Sequence, residues 1–417
     1  MSRSHAESKY PRVCVIGAGP AGLCFAKTMA AAGMEVLVME AREGVGGIWL
    51  PEPRVAGEGR EPGIVDWRGL SEAQRSESRP MYDGLHTNLP DRVMVFPDQP
   101  WQYGCDFPSQ AQVLDYLQHC SRDEALAGRI LFNTKVHSVR LNETDESWSV
   151  RFGHPEETRI FDAVIAANGH YSRPVMPEVP GLLEHFAGTL AHSSAFRNPS
   201  QVAGKTVLII GMGFSGIDIA SIVAATASCC YLSSKHDPPH SQPRPLQGPQ
   251  VHQVSRLVSV TPSQLNFADG ALLPHVDIIL MATGFAYDYP FFRTAAGQPA
   301  ALVTVSENQV SPLFMHLVHA LHPSLILPGI PFRVIPFFLL YFQAQWVCQT
   351  WCGLAPLEDR SARLRALEAF EEEMQHLPKR HAHLFGDKQF AYMEELCKRT
   401  GLVFPNELKL IWFAKRF

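Results

Sequence analysis

One pattern occurs twice in this chain and constrains its fold more than any other feature. An apolar, β-branched run, Arg12 to Ile16, leads into Gly17-Ala18-Gly19-Pro20-Ala21-Gly22, an Ala-rich helical stretch to Ala32 and a second apolar run, Glu35 to Met39, closed by Glu40. The same grammar returns as Thr206 to Ile210, Gly211-Met212-Gly213-Phe214-Ser215-Gly216, a helical stretch from about Ser215 to Thr226 and the run Ser228 to Leu232. A strand, a tight turn, a helix and a parallel strand make a β-α-β unit. Two such units about 190 residues apart predict an α/β chain with two parallel sheets and a nucleotide site on each.

The glycines have separate duties in such a turn. Gly17 permits the sharp bend, Gly19 lets a pyrophosphate approach the backbone, Gly22 lets the helix pack close to the strand, and the helix N-terminus attracts phosphate. Glu40 stands 18 residues past Gly22, where a carboxylate can accept hydrogen bonds from both ribose hydroxyls. The second copy repeats the glycines at Gly211, Gly213 and Gly216, with no acid at the end of its second strand; Ser233, Ser234 and Lys235 are there instead. A carboxylate would repel a 2′-phosphate, whereas hydroxyls and an ammonium would accept one, so this copy favours NADPH over NADH.

The bulk composition narrows the partners. At 417 residues the chain exceeds what one growing core supports, and more than one domain is expected. A net charge of -5 and 18% charged residues leave no footprint for nucleic acid, so small-molecule partners are expected. Nine scattered cysteines without a CxxC pair argue against a disulfide framework, a zinc site or a dithiol redox centre, and for a reducing, cytoplasmic setting. Vicinal Cys229 and Cys230 read as strand residues. The polar start, MSRSHAESKY, lacks the apolar run of a secretory signal. Leu325 to Val347 is the most membrane-like stretch, but Pro328, Pro331, Pro336 and Arg333 interrupt it, and it reads as buried core. A peripheral membrane contact there stays open, as does a homodimer.

Between the glycine units, a helix near Ser109 to Cys120 and strands at Lys135 to Leu141, Ser147 to Phe152 and Ala163 to Ala167 complete a first domain. Pro51 to Pro80 and His236 to Gln253 read as irregular, the second as a long surface loop. Leu357 to His376 has helical charge patterning, with Glu368, Glu371, Glu372 and Glu373 on a solvated face.

Five further segments follow in order: Gly46-Gly47-Ile48-Trp49, Tyr82-Asp83-Gly84-Leu85-His86-Thr87-Asn88, Asn168-Gly169-His170-Tyr171-Ser172-Arg173-Pro174, Phe186 to Phe196, and Met281-Ala282-Thr283-Gly284-Phe285. Together with the two glycine motifs, this set resembles the flavin-containing monooxygenases, the S- and N-oxygenating branch of the class B flavoprotein monooxygenases. The segments are similar to that family's GGxW, YxxLxTN, GHYxxP, FxGxxxHxxx(Y/F) and ATG motifs, over about Arg12 to Trp346.

The resemblance implies two Rossmann-like dinucleotide-binding domains, the NADPH domain inserted into a discontinuous FAD domain: residues 1–170 and 285–417 for FAD, and 171–284 for NADPH. It implies FAD contacts from Gly17, Gly19, Pro20, Ala21, Gly22, Glu40, Gly47, Trp49, Thr87, Asn88, Val136 and Gln343. It implies NADPH-side contacts or domain positioning from Tyr171, His192, Gly211, Gly213, Ser215, Gly216, Ser233, Ser234, Lys235, Thr283 and Gly284. Asn88 is the expected catalytic residue, beside the oxygen-reactive edge of the flavin. The implied chemistry is reduction of FAD by NADPH, reaction with dioxygen to a peroxide on carbon 4a, and transfer of one oxygen to a soft sulfur or nitrogen of a small molecule. No activating base is needed, which agrees with the lack of a Ser-His-Asp or metal pattern.

Two positions depart from the family. Lys235 stands where an arginine is usual, giving charge without a bidentate fork. Tyr341-Phe342-Gln343-Ala344 replaces E-x-Q-A, leaving only Gln343 to carry over. Phe196-Arg197 stands where Baeyer-Villiger monooxygenases carry Trp before Pro or Asp, which favours heteroatom oxygenation. A Baeyer-Villiger enzyme and a non-catalytic FAD/NADPH-binding redox protein remain as alternatives.

Overall fold

A computed structural model describes residues 8–51, 63–77, 80–234, 251–273, 275–293, 302–306, 308–378 and 381–414. It divides into two compact units: Met1–Leu50, His86–His170 and Tyr287–Phe417 form the first, Pro51–Leu85 and Tyr171–Ala286 the second. The sequence reading kept 51–85 with the first domain, whereas the contacts group that segment with the second unit.

In the first unit the initial apolar run is β1 (Arg12–Ile16), followed by α1 (Pro20–Ala31) and β2 (Glu35–Met39). Proline fits the first turn of α1 because the N–H it lacks has no intrahelical acceptor there. Serine at 109 starts α2 (Gln110–Cys120) through a reciprocal capping box with Gln112. The short β3 (Ile130–Leu131) pairs with β2, and β4 (Ala163–Ala166) pairs parallel to β1, Val13 facing Ala163. Three antiparallel strands, Val136–Asn142, Ser147–Phe152 and Glu157–Phe161, form a separate sheet. β1 therefore has β2 on one side and β4 on the other, so the strand order reverses at its carboxyl end, where such sheets bind ligands.

The second unit repeats this arrangement. Its sheet comprises β5 (Thr189–His192), β6 (Thr206–Ile210), β7 (Cys229–Ser233), β8 (Val251–Val254) and β9 (Ile278–Met281), all parallel, with α3 (Phe214–Val223) following β6. The order β8-β7-β6-β9-β5 again puts the reversal at the end of a glycine-turn strand, here β6. The surface-loop reading of His236 to Gln253 is corrected at its end, because Val251–Val254 pairs with β7; residues 235–250, Lys235 included, lie outside the described residues. The irregular reading of Pro51 to Pro80 is corrected too: it holds a 3-10 turn at Trp67–Gly69 and a helix at Glu72–Glu77.

The chain then returns to the first unit. Leu313–Phe314, Val318–His319 and Leu325–Ile326 extend the first sheet beyond β4, and α4 (Pro336–Trp351) packs on α1. The most membrane-like stretch thus becomes strand and helix inside the core: Phe337, Leu339 and Trp346 are buried in one cluster with Phe25 and Met29, and Leu325 and Leu327 in another with Cys14 and Val164. Removing each such side chain from water contributes about 1.5–3 kcal/mol, and no described helix is long and apolar enough to cross a membrane. In α5 (Arg360–Met374), Glu368, Glu371, Glu372 and Glu373 are exposed.

Candidate functional site

The two glycine turns impose the same demands on their backbones. Gly17 and Gly211 have φ of +100° and +118°, which side chains disfavour, and a Cβ on either would press on a carbonyl, of Ala167 at 2.7 Å or Ala282 at 2.3 Å. A Cβ on Gly22 would lie 1.9 Å from the carbonyl oxygen of Gly17, and one on Gly216 would lie 1.9 Å from that of Gly211. The chain needs glycine at these four positions to fold. The middle glycines are different. Gly19 and Gly213 have φ of -77° and -75°, which any residue adopts. A Cβ on Gly19 would meet Gly47 Cα at 3.4 Å, an ordinary contact, and one on Gly213 would meet no described residue within 4 Å.

Neither the backbone nor the packing accounts for glycine at 19 and 213. A group approaching from outside the chain would. The helix ends agree, since α1 and α3 start without a side-chain cap or an acidic residue in the first turn, leaving N–H groups at the crevice for an anion. Ser109, Asn198 and Asp359 cap other helical turns of this chain. Pro20, Ala21 and Ser215 occupy the first turns of the two uncapped helices.

Around the first turn the structure gathers Glu40, Gly47, Trp49 and Val136. Glu40 is buried, and its carboxylate accepts from Ala18 N at 2.6 Å and Arg42 N at 3.0 Å, so it braces the turn with two of its roughly four lone-pair sites. The Gly46-Gly47 turn is left-handed at both residues, and Gly47 lies against Gly19, forming the lip of the crevice. Arg42 holds that lip by donating to the carbonyls of Gly47 and Leu50, both at 2.6 Å, and Gln110 donates to Trp49 O at 3.0 Å. Neither Arg42 nor Gln110 was singled out from the sequence; an arginine two residues past the acidic strand end was the available signal. Val136 is buried just after Thr134, whose N–H reaches Glu40 O.

Asn88 is exposed at a bend whose flanks are fixed. Thr87 is buried, its N–H bound to Pro108 O at 2.9 Å and its hydroxyl to Leu89 O at 2.7 Å. The Asn88 side chain has no hydrogen bond to any described residue, so its amide is available to a ligand. Gln343 is placed otherwise. It is fully buried, accepts from Gly329 N at 3.2 Å and donates to the Tyr392 hydroxyl at 2.9 Å, which donates to Met315 O. Its polar groups pin the Gly329 turn to the C-terminal helices, so in this structure it is a support for the core.

At the second turn, the carboxyl ends of β5, β6 and β9 bring His192, Gly211 and Gly284 to one edge. His192 Nδ1 accepts the N–H of Ser194 at 3.1 Å, and Nε2 faces Gly284 O at 3.0 Å, which makes Nε2 the protonated nitrogen. Burial lowers its pKa to about 4. Both nitrogens are engaged by the protein, so His192 ties two strand ends together and neither nitrogen is free to reach a ligand. Gly284 O also accepts from Val175 N, and the Thr283 hydroxyl donates to Val175 O. Phe285 stands edge-on to His192 at 5.0 Å and to the half-exposed Tyr171 at 5.5 Å. Ser233 is buried and donates to Ser255 O at 2.8 Å, so its proton is not available to a phosphate; Ser234 is partly exposed.

Comparison with known proteins follows the same outline. The family described as flavin-binding monooxygenase-like matches residues 10–238 and 243–414. The flavin-containing monooxygenase FMO GS-OX5 of Arabidopsis thaliana is 30% identical over 410 residues, covering 93% of this chain and 84% of that protein. The solved structure of S-allyl-L-cysteine S-oxygenase from Allium sativum superposes with a TM-score of 0.85 at 28% identity, covering 97% of this chain and 91% of that one. Tmm from Pelagibacter sp. strain HTCC7211, at 21% identity and a TM-score of 0.76 over 97% of this chain and 89% of its own, shares the fold.

Proposed function

Since this chain belongs to the flavin-binding monooxygenase-like family and is a flavin-dependent monooxygenase, we propose that it uses FAD, NADPH and dioxygen to place one oxygen atom on the thioether sulfur of a small molecule. The likeness to S-allyl-L-cysteine S-oxygenase over 97% of the chain carries the choice of sulfur. When bound, the flavin supplies acceptance of a hydride and activation of dioxygen. The chain supplies the rest. In this reading FAD lies on the first turn, its pyrophosphate over Gly19 and the N-terminus of α1, with Gly47 and Trp49 at the lip. Glu40 keeps lone pairs for ribose hydroxyls beyond the two it gives to backbone.

NADPH lies on the second turn, its pyrophosphate over Gly213 and α3, with Ser234 toward the 2′-phosphate and Lys235, next in sequence, as the cation for it. Asn88 offers an amide donor at the site of oxygen transfer from a bend whose flanks are fixed, where a hydrogen bond stabilises developing charge. No side chain need act as a base, because a thioether sulfur is itself the nucleophile. One assay tests this reading: purified protein, NADPH and air, with a thioether and a cyclic ketone offered together. A sulfoxide as the main product is expected. A lactone as the main product would replace the reading with Baeyer-Villiger oxidation, and NADPH-independent behaviour toward both would remove it.

A further inference from the structure

The segment that looked irregular in sequence, Pro51 to Pro80, contains the most densely bonded ion pair described in the second unit. We propose that Asp66 and Arg68 are positioning residues that clamp the edge strand β5 and so hold His192 and the Gly284 turn in place for the nicotinamide nucleotide. The inference rests on the NADPH assignment above and names residues that assignment does not use.

β5 is an edge strand with β9 as its neighbour on one side, so alternate N–H and C=O groups on its other side lack a strand partner. Asp66 and Arg68 fill that role. The Arg68 guanidinium forks onto the Asp66 carboxylate, Nε to Oδ1 at 2.9 Å and Nη2 to Oδ2 at 2.5 Å. It also donates to the carbonyls of Phe186 and Gly188, each at 2.7 Å, on the approach to β5. Asp66 caps its own turn by accepting from Arg68 N at 2.8 Å, and it accepts from Leu190 N, within β5, at 3.2 Å. Three alternate positions, 186, 188 and 190, are therefore held by one ion pair.

Between the two lies Trp67, whose ring centroid is 6.3 Å from that of His192. The Arg75 guanidinium lies over the indole, 4.6 Å from its centroid, and donates to Trp67 O at 3.0 Å. The line of support runs from Arg75 to Trp67 to His192 and ends on Gly284 O, at the carboxyl edge where the second glycine turn opens. The Asp66 carboxyl, hydrogen-bonded to Arg68, has its pKa lowered to about 2, so the pair stays ionised at any working pH.

Arg68→Lys keeps the charge and most of the stem but cannot make the fork, and Asp66→Asn keeps the shape but loses the charge. Each is measured for flavin content, thermal midpoint, NADP⁺ dissociation constant, and the KM for NADPH against kcat. The expected result is wild-type flavin content, a dissociation constant and KM raised about tenfold, and kcat at saturating NADPH unchanged. Hydrogen exchange at the Leu190 amide should quicken in both variants. Folded variants with wild-type NADP⁺ affinity overturn the clamp and leave the proposed function standing, even if the thermal midpoint falls, since that is the result of a purely structural role. If Asp66→Asn yields too little folded protein, Arg68→Lys decides alone. Failure of the wild-type protein to bind NADP⁺ overturns the proposed function itself, and is read before any variant is made.

Discussion

The two glycine turns are nearly the same backbone placed in different surroundings. At the first, a second glycine loop stands against the middle glycine, Gly47 facing Gly19, and a buried carboxylate braces the turn from beneath. At the second, no described residue lies within 4 Å of where a Cβ of Gly213 would be, Ser234 stands at the position of the carboxylate, and Ser233 before it turns its hydroxyl inward to Ser255 O. A turn with a lip suits a group that stays. An open turn suits one that comes and goes. The comparison agrees with the proposed placement of a resident flavin on the first turn and an exchanging nicotinamide nucleotide on the second.

The largest effect should come from confusing the two kinds of glycine. Gly22→Ala and Gly216→Ala put a methyl 1.9 Å from a backbone carbonyl, and each should cost more than about 4 kcal/mol or prevent folding. Gly213→Ala should shift stability by less than about 0.5 kcal/mol, because the methyl meets no described residue and the φ is ordinary. Denaturant midpoints check this, and equal losses at 213 and 216 would show that the middle glycine too belongs to the fold. Next in size is Gly19→Val, which should give folded protein without flavin, while Gly213→Val should stay yellow and lose NADP⁺ binding. Absorbance and a nucleotide titration separate the two, and a yellow Gly19→Val protein would break the assignment of the first turn.

Asn88 and His192 sharpen the same contrast between residues that face a ligand and residues that hold the fold. Asn88→Ala should retain flavin and be reduced by NADPH at close to the normal rate. Its yield of oxygenated product should fall, with hydrogen peroxide formed instead, by an amount equivalent to about 3 kcal/mol for one lost preorganised donor. Unchanged coupling of NADPH to product would make Asn88 a plain bend residue. For His192 the effect is on stability. Its folded pKa, about 4, lies below the unfolded value near 6.5, so the unfolded chain binds the extra proton between those values. The stabilisation is complete above about pH 6.5 and is lost as pH falls through about 4, each pKa unit being worth about 1.4 kcal/mol. His192→Asn should flatten that part of the stability curve. Last comes the choice of nucleotide: Lys235→Ala should raise the KM for NADPH by the equivalent of about 1 to 3 kcal/mol and leave that for NADH alone.

What the sequence made legible follows from how local each signal is. Both β-α-β units could be read because a strand, a glycine turn and a helix are contiguous, and the helix near Ser109 to Cys120 was legible as well. The two-residue strands Leu313–Phe314, Val318–His319 and Leu325–Ile326 were not, since they are too short to show a period and owe their place to the sheet they join. Gln343 looked like a ligand residue because its neighbours in sequence resemble a motif, but its amide is bonded to Gly329 and Tyr392, 14 and 49 residues away along the chain. A still longer separation hid Asp66 and Arg68. Their partners are more than a hundred residues away, and a segment rich in loop-forming residues gave no sign that it covers a sheet edge.

One measurement tests the central claim most directly. The flavin-loaded protein is given NADPH and a small thioether under heavy-isotope dioxygen, and the product is weighed by mass spectrometry while NADPH use is counted. A sulfoxide carrying one labelled oxygen atom, formed one for one with NADPH consumed, is the predicted result. Unlabelled sulfoxide, or NADPH consumed at the same rate with and without thioether and yielding only hydrogen peroxide, would contradict it.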